Sequence, residues 1–203
     1  MSIFEQVANP EDFEALYQLE GRTNERLRNE RGDIALVPAQ QCVFGAGVGY
    51  IMAAFTHLNK SGSRFSDGSF GVYYAGLDLR TAIEESRYHR AQFLAYTQQA
   101  PQELDMRVLT AKVTASLHDI TGQMKSSPEL YLPDDYAPSQ TWAKPLRQSG
   151  ADGVVYDSVR HAGGTCFAVF RPKCLSRCVQ ADQLRYVWDG AAITRVLALK
   201  QVA

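Results

Sequence analysis

The sequence predicts a single α+β domain with a mixed or antiparallel sheet and flanking helices, on three observations. Strand-like and helix-like segments follow one another without the regular alternation of a doubly wound parallel sheet. Four short apolar strands gather near the C-terminal end, at 153–156, 165–170, 183–188 and 192–197, and the gaps His161-Ala162-Gly163-Gly164 and Asp189-Gly190 have hairpin spacing. The length, 203 residues, suits one domain that buries its own core without a metal or disulfide. It divides into an N-terminal helical extension, 1–50, and a main domain, 51–203.

Taken in order, Asn9 is placed to cap a helix that Pro10 opens, with Glu11 and Asp12 in its first turn and Leu16 and Leu19 beyond. Residues 20–33 are dense in charge and read as a solvated second helix or a connector. The apolar stretch 43–55 contains GAGVGY, which resembles a dinucleotide fingerprint but lacks the third glycine and a preceding strand. Residues 51–55 are therefore read as a buried strand that delivers Thr56, His57 and Asn59. Asp67-Gly68 signals a turn into a strand at 71–75, whose alternation sends Tyr73 and Tyr74 to opposite faces.

Thr81 is read as the cap of a helix running to about Thr97, with Thr81-x-x-Glu84 as a capping box. Residues 104–113 alternate as a strand, with Met106, Val108, Thr110 and Lys112 on one side and Arg107, Leu109, Ala111 and Val113 on the other. Residues 122–138, with three prolines and Asp134-Asp135, read as a surface excursion that serves as a lid or partner contact. Ser139 is placed to cap a helix that ends at Gln148 before Gly150.

Composition narrows the function. With 45% hydrophobic and 21% charged residues and a formal net charge of −1, the chain is ordinary for a globular protein. Its 21 Lys and Arg against 22 Asp and Glu lack the basic excess of a direct nucleic-acid binder. The N-terminus has no signal-peptide pattern and no window approaches the roughly eighteen apolar residues of a membrane span, so a cytoplasmic location with no membrane partner is expected. Cys42, Cys166, Cys174 and Cys178 form no CxxC pair and are expected to be reduced thiols. The four histidines, His57, His89, His118 and His161, show no ligand spacing, so no metal site is expected.

The chemistry concentrates in 57–93. Arg64 offers a planar guanidinium fork that matches two phosphate oxygens, or alternatively a surface pair with Asp67. Tyr73 and Tyr74 provide two phenols, one of them for the core. Glu84 and Glu85 are adjacent, and the capping box accounts for Glu84 and leaves Glu85 free. His89, one turn on, is either a partner for Glu85 or an exposed histidine. Ser158 has no G-x-S-x-G around it, which excludes the serine-hydrolase elbow.

Arg64 in SRF, Tyr74 in GVYY, Glu85 in TAIEE and Ser158 in YDSVRHAGGTCFAVFRP resemble, in order, the signature of the RES-domain family, named for its Arg, Glu and Ser. The resemblance extends over about 51–189. It implies a fold similar to ADP-ribosyltransferase toxins and consumption of NAD+ as substrate. It also implies a toxin whose antitoxin partner is an Xre-like helix-turn-helix protein. On this resemblance Arg64 clamps the pyrophosphate and Tyr74 stacks on the nicotinamide ring. Glu85 stabilises the cationic ribose as the nicotinamide bond breaks, and Ser158 bonds the carboxamide or a phosphate. At His57 the family often carries an arginine. The histidine departs from that pattern, leaves the second phosphate contact unassigned and is the candidate for a ribose-hydroxyl contact. The expected activity is NAD+ cleavage, as glycohydrolase or phosphorylase. The alternatives are ADP-ribosyl transfer to a protein and a non-catalytic module that binds a nucleotide or a partner.

Overall fold

The computed structural model describes residues 33–200, and the helix and charge run read in 1–32 lie outside them. Among the described residues, three α-helices and seven strands, the strands in two sheets, make one α+β domain. Helix α1 is Val48–Thr56, β1 Tyr73–Gly76, α2 Leu79–Tyr96, β2 Gln102–Val113 and β3 His118–Asp119. Helix α3, Ala137–Gln148, is followed by β4 Gly153–Asp157, β5 Thr165–Val169, β6 Leu175–Trp188 and β7 Ile193–Leu199. One sheet has the order β1-β5-β4-β3, antiparallel except for β3 beside β4. The other, β2-β6-β7, is antiparallel throughout. Both hairpins expected from glycine spacing are present, as β4-β5 and β6-β7.

Residues 51–55 are helical, not a strand. Val48, Ile51, Met52 and Phe55 of α1 are all buried, and their i, i+3, i+4, i+7 spacing is that of one helix face. Each such side chain contributes about 1.5–3 kcal/mol by leaving water. The glycine run has a geometric use. Gly47 caps α1 in the left-handed region, φ 76°, and a Cβ there would lie 2.0 Å from the Cys178 carbonyl oxygen, so no side chain fits. Helix α1 crosses residue 50, where the sequence ends the extension.

The α2 start is also corrected. Asp78 is the N-cap, accepting from the Thr81 backbone N–H at 2.8 Å and from its hydroxyl at 2.9 Å, so Thr81 is the third helical residue and no Thr81-Glu84 capping box forms. In α3 the first residue is Ala137. Ser139 lies inside, fully buried, with its hydroxyl 2.6 Å from the Arg64 carbonyl oxygen. The 122–138 region is not merely a surface excursion, because its short 3-10 turn Pro128–Tyr131 sinks Leu130 and Tyr131 into the core.

Three packing centres follow. Helix α1 packs on one face of the four-stranded sheet with Val169 and Leu175. Helix α3 and Phe65, Leu130 and Tyr131 cover the other face with Val154, Tyr156, Cys166 and Ala168. Helix α2 lays Leu94 against Leu184, Tyr186 and Trp188 of the three-stranded sheet. All four cysteines are buried and free. Among the described residues no helix is long and apolar enough to cross a membrane, and no cluster of His, Cys, Asp or Glu is placed to hold a metal ion.

Candidate active site

A cleft of about 870 Å³ runs over the edge strand β1, between the two sheets, a size that suits a small-molecule ligand. Strand register decides what β1 sends into it. Tyr74 pairs with Ala168 and Gly76 with Cys166, on the face of Tyr156, while Tyr73 pairs with Val169 and packs against the α1 centre. Tyr74 thus shares a face with the other site residues, and Tyr73 is the core partner although its edge also reaches the cleft. The Tyr74 hydroxyl accepts from the Phe65 N–H at 2.9 Å and meets Ser63 Oγ at 2.9 Å, which pins the Arg64 loop to the sheet. Burial of that phenol raises its pKa to about 12, although 37% of the residue remains exposed along the cleft.

Helix α2 contributes a stripe. Ala82, Glu85, Ser86 and His89 recur at i, i+3, i+4, i+7 and line the cleft, while Glu84 turns aside to Arg87 at 3.7 Å. Close docking makes this possible: a Cβ on Gly76 would lie 2.7 Å from the Ala82 nitrogen, so glycine lets β1 meet the first turns of α2. Ser158, just past β4, donates to Glu85 Oε1 at 2.6 Å and accepts from the Arg160 and His161 N–H groups at 3.1 and 2.9 Å. Cys166 Sγ lies 3.7 Å from the same oxygen, and burial together with the Glu85 charge raises the thiol to about 12. Desolvation pulls His89 below its ordinary value, and the Glu85 carboxylate opposes that shift.

Arg64 is nearly buried. Its Nη1 donates to the Leu130 and Leu132 carbonyls, both at 3.0 Å, and its guanidinium lies 4.8 Å from the Tyr136 ring centre. The alternative pairing with Asp67 does not form, because Asp67 bonds Lys144 at 2.9 Å. Around the rim, Arg160 stacks on the Tyr88 ring at 3.3 Å, pairs with Asp134 at 3.5 Å and bonds the Pro133 carbonyl, which fastens 133–136 beside α2.

The structure therefore brings Arg64, Tyr74 and Glu85 to one cleft, with Ser158 behind Glu85. The Ser158 hydroxyl is engaged within the protein and does not line the cleft, so it positions the carboxylate rather than facing a ligand. His57 is not brought in. It caps the C-terminal end of α1, exposed, with Nδ1 3.3 Å from the Ala53 carbonyl oxygen, whereas Asn59 does line the cleft. Sequence reasoning missed Tyr156, Tyr136, Asp134 and Arg107. Of these only Arg107 carried a signal, as a charge on the otherwise apolar side of an alternating strand.

An α+β fold with an acid, a guanidinium and aromatic rings around one cleft defines the class, and comparison with known proteins places the chain within it. The chain belongs to the RES-domain family, whose model matches residues 41–189. It is similar to the uncharacterized protein y4oC of Sinorhizobium fredii (strain NBRC 101917 / NGR234), 31% identical over 206 residues that cover 98% of this chain and 82% of that protein.

Proposed function

We propose that this protein is the toxin of a toxin-antitoxin pair and cleaves NAD+ at the nicotinamide-ribose bond, with water or phosphate as acceptor. The observation that carries the reading is the Glu85 carboxylate, held by the Ser158 hydroxyl at 2.6 Å on the cleft wall. Bond breaking builds positive charge on the ribose, and a carboxylate fixed beforehand stabilises that charge without reorganising. Tyr74 and Tyr156 give the nicotinamide ring aromatic surface, and Arg64 presents positive charge to the diphosphate. Membership of the RES family supports both the NAD+ reading and an Xre-like helix-turn-helix antitoxin as partner. The family scaffold and the cleft favour catalysis over a module that only binds.

Incubation of the purified protein with NAD+, with and without inorganic phosphate, tests the reading. Nicotinamide is the expected product, with ADP-ribose or its phosphorylated form identifying the acceptor. Label transferred to a protein would move the reading to an ADP-ribosyltransferase, and unchanged NAD+ would sink it.

A further inference from the structure

The cleft holds a second guanidinium in addition to Arg64. Arg107 of β2 lines it, exposed, with Nη1 donating to the Tyr50 hydroxyl of α1 at 3.3 Å. The carboxylates that precede it on the same strand face, Glu103 and Asp105, are held by Arg185 at 3.0 and 2.8 Å. Among the described residues no carboxylate pairs with Arg107, so its charge is offered to the cleft. Of the two carboxylates lining the cleft, Asp134 is paired with Arg160 at 3.5 Å and Glu85 is held by Ser158. Arg64 spends Nη1 on two carbonyls but keeps its charge. Two cations on one cleft match the two charges of a diphosphate, and a guanidinium steadied by a phenol loses less freedom on binding than a loose one.

We propose that Arg107, steadied by Tyr50, is a phosphate-binding residue that takes the adenosine-side phosphate of the diphosphate bridge. This rests on the NAD+ reading above and supplies the contact that His57, outside the cleft, does not make. Arg64 meets the phosphate nearer Glu85. The pair therefore sets affinity for a dinucleotide and leaves the bond-breaking step to Glu85.

The test compares wild type, Arg107→Gln and Tyr50→Phe, each checked for an unchanged melting temperature. ADP and adenosine binding are measured calorimetrically at fixed low salt, and steady-state kinetics with NAD+ are measured alongside. Arg107→Gln is expected to weaken ADP about tenfold or more, and to raise KM for NAD+ to match with kcat nearly unchanged. Adenosine should be unaffected, and Tyr50→Phe should give a smaller loss of the same kind. Equal ADP affinity in wild type and Arg107→Gln overturns the proposal, as does a wild type that binds ADP no better than adenosine. A wild type that binds ADP through Arg107 yet leaves NAD+ intact removes the catalytic reading and upholds the phosphate site.

Discussion

The two sheets meet the same cleft in different ways. On the four-stranded side the groups are already bonded to one another: Ser158 to Glu85, Tyr74 to the Phe65 N–H, and Arg64 to the Leu130 and Leu132 carbonyls. The three-stranded side offers a wall of Met106, Val108, Leu109, Leu184 and Tyr186, with Arg107 as its charge. One side fixes positions and the other fixes shape. Stabilising a developing charge requires the first, since a carboxylate that must reorganise loses much of its effect, whereas holding a ligand tolerates the second. Changes at Glu85 and at Ser158, which holds it, should therefore fall on kcat, and changes at Arg107, like those at Arg64, on KM.

The largest expected effect tests that division at two neighbouring residues. Glu85→Gln should fold normally and lose kcat for nicotinamide release by about 10²-fold or more, on the order of 3 kcal/mol. Glu84→Gln should keep nearly full activity, because Glu84 faces away from the cleft toward Arg87. The reverse pattern in rate and melting assays would contradict the orientation of α2.

A smaller effect is expected at Ser158→Ala. It removes the donor that holds Glu85 and the acceptor for two backbone N–H groups, so kcat should drop about tenfold and stability by about 1–3 kcal/mol. A loss confined to KM would show Ser158 contacting substrate directly.

His89 gives a pH test. Its folded value lies below the usual value of roughly 6.5, so it is neutral at pH 7, and its contribution to stability is present above that value and lost as pH falls through the folded one. Cleavage should be flat from about pH 7 to 8 and decline only as pH falls below the usual histidine value, where an imidazolium forms beside Glu85. His89→Asn should lose that decline, and an identical acid limb would exclude His89 as its source.

The smallest effect concerns helix architecture rather than chemistry. Asp78→Ala removes the α2 cap and should lower the melting temperature by about a few degrees with kcat close to native. A Thr81→Val variant destabilised more strongly than Asp78→Ala would favour the capping role that the sequence suggested for Thr81.

How much of this was legible in the sequence follows the range of each interaction. Strands β1, β2, β4, β5 and β7 and helix α2 were readable because alternation and glycine turns are local. The α1 helix was misread as a strand: a short apolar run suits either, and the flanking glycines hid the i, i+3, i+4, i+7 pattern of Val48, Ile51, Met52 and Phe55. The α2 cap was misplaced by three residues because Asp78 and Thr81 are both good caps in sequence and only the observed bond decides between them. The cleft membership of Arg64, Tyr74 and Glu85 was legible from the motif. What holds them was not, since Ser158 lies 73 residues from Glu85 and Leu130 lies 66 from Arg64. The anchoring role of the proline-rich region was hidden for the same reason, as its binding to Arg64 uses backbone carbonyls that no side-chain pattern announces.

The most direct measurement of the central claim is a crystal structure of Glu85→Gln with NAD+, since an inactive variant retains its substrate. The account predicts NAD+ in the cleft with the ribose C1 facing residue 85 and the nicotinamide ring against Tyr74, and with the diphosphate between Arg64 and Arg107. A dinucleotide bound elsewhere, or bound in the cleft with nicotinamide at the Arg107 end, would contradict it.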